Sequence, residues 1–87
     1  MAYSVDYTES AYKDLKKLDK QTRSLILSWI EKNLVNCTDP RAHGKALRYD
    51  RKGEWRYRVG SYRVLADIQD EKILILVLKI GHRREVY

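Results

Sequence analysis

The chain has 87 residues, room for one domain over 1–87, because independent domains run from about 50 to 250 residues. Hydrophobic residues make up 44% of it, which is enough for a compact core and excludes a disordered tail, while the net charge of +6 indicates a polyanionic partner. A single cysteine excludes an internal disulfide and a multi-cysteine zinc site, and the apolar runs are too short for a membrane span, so we expect a cytoplasmic protein without a membrane partner.

The first half of the chain predicts a strand followed by two short helices. Apolar and polar residues alternate over residues 3–7, as in a half-buried strand. Thr8 is placed to cap the first helix. The apolar stripe of that helix consists of Ala11, Leu15 and Leu18. A second helix is predicted from Gln21 or Thr22 to about Leu34, and two helices this close in sequence favour an antiparallel hairpin.

The second half predicts a three-stranded antiparallel meander. After a loop over residues 36–44, residues 54–59 and 62–68 alternate in polarity on either side of a Gly-Ser turn. Residues 73–80 are nearly all apolar, as in a central strand covered on both faces, and Gly81 is expected to end that strand. The predicted fold is therefore α+β: an N-terminal strand, a two-helix hairpin and a meander, with the helices packed on one face of the sheet.

The positive charge is concentrated in one part of the sequence. Residues 41–63 hold eight basic residues against two acidic ones, so this segment carries the whole net charge of +6. Side chains alternate between the two faces of a strand. If the apolar residues of the meander face the helices, Arg56, Arg58 and Arg63 share the opposite face, where like charges on adjoining strands favour a bound anion.

Five short motifs point to one protein family. They are the Met-Ala-Tyr opening, Lys-Lys-Leu at the end of the first helix, Lys-Ala-Leu-Arg before the meander, Tyr-Arg-Val-Leu within it, and the ending Gly-His-Arg-Arg-Glu-Val-Tyr. Together they resemble the RelE/ParE toxin superfamily over the whole chain, and its RelE-like branch in particular. That resemblance implies a ribosome-dependent endonuclease that cuts mRNA in the A site, and an antitoxin encoded beside it.

The resemblance also implies roles for individual residues. Arg56 and Arg58 match two spaced basic residues on a RelE strand, and with Arg48 and Lys52 they are candidates for RNA or phosphate binding. The candidate catalytic residues are Arg63, Arg83, Tyr87 and His82. The two arginines of this set would stabilise the phosphorane, because a guanidinium matches two phosphate oxygens. The tyrosine would stack on a base or supply its hydroxyl, and the histidine would act as acid or base.

Cleavage of RNA through attack by its own 2′-hydroxyl needs a general base, cations that stabilise the phosphorane and an acid that protonates the leaving oxygen. Arginines can hold that charge, so we expect no cofactor, and no metal site because His43 and His82 lack a partner cluster. The best-known RelE pattern has lysines where this chain has Arg56 and Arg58. A guanidinium does not release its proton, so neither arginine can readily act as the general base, and that role falls to another group. The candidates for that base are Lys52, Glu54, His82 and the ribosome.

Two other functions fit the same sequence. A ParE-like toxin would inhibit DNA gyrase by binding it, without catalysis, and a plain RNA-binding module would bind in a salt-sensitive way without cleaving. The concentration of arginines with a histidine and a tyrosine favours the nuclease. For the antitoxin we expect an acidic, RelB-like segment that lies over the basic face or against the helix hairpin.

Overall fold

The fold, described in a computed structural model over residues 2–46 and 54–82, has two helices and a five-stranded mixed sheet. The elements in chain order are β1 (Ser4–Tyr7), α1 (Glu9–Lys17), α2 (Lys20–Asn33), β2 (Lys45–Ala46), β3 (Glu54–Val59), β4 (Tyr62–Gln69), a 3-10 turn (Asp70–Lys72) and β5 (Leu74–His82). The strands lie in the order β1-β5-β4-β3-β2. The predicted α+β architecture is confirmed, and neither helix is long and apolar enough to cross a membrane.

Both helices begin at a side chain that caps their free backbone N–H groups. The hydroxyl of Thr8 accepts a hydrogen bond from the Ala11 amide at 3.1 Å, as predicted, and donates one to the carbonyl of Leu78 on β5 at 3.0 Å. The carboxylate of Asp19 caps α2 by accepting from the Thr22 amide at 3.2 Å. The second helix therefore begins at Lys20, one or two residues before the predicted start at Gln21 or Thr22, since an aspartate is a better cap than the lysine or glutamine after it.

The meander forms as predicted, and two further strands complete the sheet. β3, β4 and β5 pair antiparallel, and β1 pairs parallel with β5 on its other side. β2 is a two-residue strand at the opposite edge, where Lys45 and Ala46 pair with Arg56 and Trp55. The sequence did not predict β2, because two residues are too few to show an alternating pattern.

The hydrophobic core lies between the two helices and one face of the sheet. From the helices it receives Ala11, Leu15, Ile26, Ile30 and Leu34. From the sheet it receives Tyr57, Val59, Val64, Ala66, Ile75, Val77 and Ile80. The residues of β3 and β4 in this set are the ones that the alternation assigned to the helix side. We call the other side of the sheet the open face.

The last strand differs from its prediction in two ways. β5 continues past Gly81, which pairs with Arg63, at least to His82, the last described residue, which pairs with Tyr62. Pairing with β4 holds the backbone of this glycine in the ladder, so its low strand propensity does not end the strand. The strand is also fully buried on one face only, since Leu74 and Leu76 on the open face are half-buried.

The strand also contains a β-bulge, where the pairing skips Leu78 between Val77 and Lys79. A one-residue bulge reverses the inside-outside alternation beyond it.

The loop before β2 is anchored to the sheet at three points. The buried hydroxyl of Tyr57 donates to the Pro40 carbonyl, and the indole N–H of Trp55 donates to the His43 carbonyl. Arg41 binds both carboxylate oxygens of Asp70 at 3.0 Å, and the hydroxyl of Tyr3 donates to the same carboxylate at 2.7 Å. Arg41 therefore makes an ion pair at the β4–β5 turn, although the sequence counts it with the basic segment.

The Asp70 carboxylate makes the anchoring of this loop dependent on pH. The hydrogen bonds from Arg41 and then Tyr3 hold the pKa of Asp70 below its ordinary value. A lowered folded-state pKa stabilises the fold above the unfolded-state pKa of about 3.9, and this contribution is lost as the pH falls through the folded-state value. We expect Asp70→Asn to lower the free energy of unfolding at pH 7 and pH 5, with a difference from wild type that shrinks towards pH 3.

Urea denaturation at the three pH values measures this difference. Glu71→Gln removes a neighbouring exposed carboxylate from the same turn and is the matched control. A loss of stability in Asp70→Asn that is equally large at pH 3 would show that the effect does not come from the ionised carboxylate.

Gly44 is required by both its backbone conformation and its close packing. Its φ is +78°, and a Cβ here would overlap the carbonyl oxygen of Arg56 and crowd the indole nitrogen of Trp55. Gly60 has a φ of +59° but open space around it. We expect Gly60→Ala to destabilise the fold by about 1–2 kcal/mol through its backbone alone. Gly44→Ala should cost about 1–3 kcal/mol more, because of the added overlap.

Chemical denaturation of the two variants in parallel measures both costs. Equal losses of stability in the two variants would mean that the loop yields to the added methyl group without cost.

Candidate anion-binding site on the open face

Four basic side chains lie together on the open face, at the end of the sheet near the β3–β4 turn. Lys45 on β2 is directly opposite Arg56 on β3, and Arg58 on β3 is directly opposite Arg63 on β4. Opposed residues of antiparallel strands project from the same face, with Cβ atoms about 4.5–5.5 Å apart. The register therefore brings together three of the predicted site residues and adds a lysine that the prediction omitted.

Arg63 is the most buried of these cations. Arg63 is only 8% exposed, which is rare for a charged residue. Its Nη1 donates to the carbonyl of Tyr62 at 3.1 Å and to that of Gly60 at 3.4 Å, so the β3–β4 turn fixes the guanidinium. On β5 the residue opposite Arg63 is Gly81, which has no side chain to fill the space beside it. The arginine is thus held in one place by the backbone, as a preorganised charge requires.

The four cations surround an open pocket of about 330 Å³. Its described lining consists of Gly44, Lys45, Arg56, Arg58 and Arg63. This volume is at the small end of the range for ligand sites, and a lining of this charge raises the local concentration of anions. Guanidinium groups present paired N–H donors that match two oxygens of a phosphate. The pocket can therefore bind a phosphate group together with part of its sugar.

His82 lies on the other side of the sheet from the arginines. Its pairing partner is Tyr62, and the two rings meet edge to face with centroids 5.5 Å apart. The helix-side residues of β5 are Ile75 and Val77 before the bulge and Ile80 and His82 after it. Continuous alternation would place the His82 imidazole on the open face, and the bulge places it on the helix side instead. The structure brings Arg56, Arg58 and Arg63 together without His82.

The other residues named from the sequence take several positions. Arg48, Lys52, Arg83 and Tyr87 lie outside the described residues. Glu54 is on the open face opposite Asp67, two residues before Arg56, and does not line the described part of the pocket. Residues 2–46 and 54–82 contain no cluster of three or more His, Cys, Asp or Glu side chains that could hold a metal ion.

Two contributors to the pocket were missed by the sequence analysis. Lys45 belongs to a strand too short to predict, so its face could not be assigned. Gly44 is needed for a contact with β3 that depends on how the anchored loop folds back on the sheet. Two signals in the sequence included Lys45, the Lys-Ala-Leu-Arg motif and the basic segment 41–63, but neither assigned it to a face of the sheet.

Comparisons with known proteins agree with this architecture. The family described as "ParE toxin of type II toxin-antitoxin system, parDE" matches residues 5–87. Toxin RelG of Mycobacterium tuberculosis is 32% identical over 87 residues, which cover 100% of this chain and 98% of RelG. The protein named mRNA interferase toxin RelE of Escherichia coli is 32% identical over 91 residues, which cover 100% of this chain and 92% of RelE.

Solved structures extend the likeness to three dimensions. The toxin-antitoxin complex RelBE2 of M. tuberculosis contains a chain that superimposes with a TM-score of 0.85 at 31% identity, covering 95% of this chain and 93% of that one. A mutant of E. coli RelE in the free state gives a TM-score of 0.79 at 26% identity, covering 99% and 88% of the two chains. The chain therefore belongs to the ParE toxin family and is a RelE-like toxin of a type II toxin–antitoxin system.

Proposed function

We propose that this toxin is a ribosome-dependent mRNA endonuclease that acts in the cytoplasm. It cleaves mRNA in the ribosomal A site by attack of a 2′-hydroxyl on the adjacent phosphodiester, without a metal ion, and so inhibits translation. The observation that carries the proposal is the pocket in which Lys45, Arg56, Arg58 and Arg63 surround a space that can take a phosphate group and part of its sugar. The names of curated relatives, mRNA interferase RelE in E. coli and in Shigella flexneri, support the same activity.

The buried arginine has the central role in this proposal. Arg63 is fixed by the turn carbonyls, so its charge is in place before the substrate arrives and need not reorganise as the phosphorane forms. Arg58 is directly opposite Arg63 and is exposed. Arg56 lies two residues before Arg58 on the same face of β3, and both side chains can bind the RNA backbone. Arg48 and Lys52, which belong to the same basic segment of the sequence, are proposed as further RNA or phosphate-binding residues.

The same resemblance adds three residues near the C-terminal end of the sequence. Arg83 would share the phosphorane charge with Arg63, and Tyr87 would stack on a base or supply its hydroxyl. His82 remains a proposed acid or base, but its ring packs on Tyr62 on the helix side of the sheet. To act, it would have to reach RNA around the end of the sheet.

We also propose an acidic, RelB-like partner for this toxin. Several similar structures are described as RelB–RelE or RelBE complexes, which supports an antitoxin of that kind. An acidic segment laid over the open face would pair with the cations of the pocket and exclude RNA from it. Such inhibition should weaken as the salt concentration rises, because the ion pairs at its rim are screened.

Primer extension on an mRNA under translation in a purified system tests the activity. New 5′ ends in the coding region that are absent when ribosomes are omitted are the expected result. Intact message together with arrested DNA replication would favour the ParE-like gyrase inhibitor instead. Salt-sensitive RNA binding without cleavage would favour a plain RNA-binding module.

The geometry of Arg63 predicts that charge alone is insufficient at this position. We expect Arg63→Lys to slow cleavage roughly 10- to 100-fold, because an ammonium cannot both bond to the turn carbonyls and present paired donors to phosphate. Single-turnover cleavage on programmed ribosomes measures the rate. Arg23→Lys makes the same exchange on α2 and should cleave normally. Wild-type activity in Arg63→Lys would rule out paired phosphate contact as the role of this residue.

A further inference from the structure

The described lining of the pocket contains one side chain that can transfer a proton. Arg56, Arg58 and Arg63 stay protonated at every accessible pH, and Gly44 has no side chain. Lys45 carries a primary ammonium, which can release a proton and take it back. Three permanently charged arginines and one lysine that can lose its proton allow charge stabilisation and proton transfer to be carried out by different residues.

The backbone holds Lys45 in a defined place. Its Cα is in register with that of Arg56, and the pair lies next to the opposed pair of Arg58 and Arg63. The preceding loop is tied to β3 through the Trp55–His43 and Tyr57–Pro40 hydrogen bonds, and Gly44 packs against the Arg56 backbone. The lysine is thus the first residue after an anchored loop, and the register directs its side chain to the open face. Its exposed position leaves the ammonium accessible to a substrate.

We infer that Lys45 is the general acid of the cleavage reaction, an inference that rests on the proposed function. The 2′-oxygen attacks phosphorus as its proton passes to water, so that the O2′–P bond forms. The P–O5′ bond then breaks, and the 5′-oxygen takes a proton from Nζ of Lys45, because a 5′-alkoxide is a poor leaving group. The products are a 2′,3′-cyclic phosphate and a 5′-hydroxyl, and the lysine regains its proton from water.

Two alternative donors within residues 54–82, Glu54 and His82, are less well placed. Glu54 is on the open face, opposite Asp67, but it does not belong to the described pocket lining. His82 is on the helix side of the sheet. The ammonium of Lys45 lies on the pocket wall itself, so it fits the role of donor.

Leaving-group substitution tests the assignment directly. Synthetic mRNAs carry either the normal 5′-oxygen or a single 5′-bridging sulfur at the A-site codon, and each is placed on a programmed ribosome with excess toxin. A thiolate leaves without protonation, so loss of a general acid affects the oxygen substrate alone. We expect Lys45→Arg, which keeps the charge, and Lys45→Gln to cleave the oxygen substrate about 10²–10⁴-fold more slowly than wild type. On the sulfur substrate both variants should approach the wild-type rate.

Three further variants complete the experiment. Lys72→Arg makes the same exchange in the β4–β5 turn and should cleave both substrates normally. Arg63→Ala, which removes charge stabilisation, should stay slow on both. Glu54→Gln should show no selective rescue by sulfur. Thermal unfolding of Lys45→Arg and Lys45→Gln checks that each retains the wild-type fold, and the variant that does so carries the comparison.

The outcomes are distinct. Wild-type cleavage of the oxygen substrate by Lys45→Arg would overturn the assignment, and so would equal slowing on the two substrates, which would make Lys45 a binding residue only. Selective rescue of Glu54→Gln would move the acid to that carboxyl group. If the wild-type toxin cleaves neither substrate on ribosomes, the proposed function itself fails, and the inference about Lys45 fails with it.

Discussion

The burial of Tyr57 is the interaction on which the site depends. This residue lies between Arg56 and Arg58 on β3, and it is completely buried against the helices. Because side chains alternate along a strand, its burial directs both neighbouring arginines to the open face. Burial also raises the pKa of its hydroxyl, which therefore remains a neutral donor to the Pro40 carbonyl at any physiological pH. One side chain thus orients the arginines and anchors the loop that leads to Lys45.

The magnitudes explain how the sheet tolerates such a concentration of positive charge. Like charges directly opposite each other, as in the pair Arg58 and Arg63, cost on the order of 0.2–1 kcal/mol. Fully burying one large apolar side chain contributes about 1.5–3 kcal/mol. The strands that carry the arginines also contribute Tyr57, Val59 and Val64 to the core, so their packing outweighs the repulsion. Arg41 adds nothing to this repulsion, since its partner is Asp70.

The alternation of polarity explains why the arginines could be placed from sequence. The two-residue period is unbroken over β3 and is interrupted on β4 only by Leu65, so the sorting of Tyr57 and Val64 to one face and Arg58 and Arg63 to the other followed from the pattern. The cap at Thr8 was likewise predictable, because a threonine before an acidic first turn is a local signal. These features depend only on neighbours in the sequence.

The features that the sequence did not reveal depend on pairing with other strands. Nothing in the apolar run of β5 marks where β4 skips a residue, yet the bulge at Leu78 decides the face on which His82 lies. The strand that carries Lys45 exists because a loop anchored at Pro40 and His43 brings two residues alongside β3. Local pattern therefore identified the arginines, while tertiary structure set the positions of Lys45 and His82, two groups able to transfer a proton.

The difference between cations that only hold charge and a cation that can also transfer a proton bears on how function varies within one fold. An arginine and a lysine contribute similar charge to a phosphate site, but only the lysine can also transfer a proton. In this chain the inner strands β3 and β4, which pack on the core with their other face, supply the arginines. The edge strand β2 supplies the lysine. Exchanging these residue types between neighbouring strands would conserve the electrostatic potential of the pocket while moving its proton donor. Overall charge and fold are consequently weaker guides to the reaction than the identity of the cation at each position in the register.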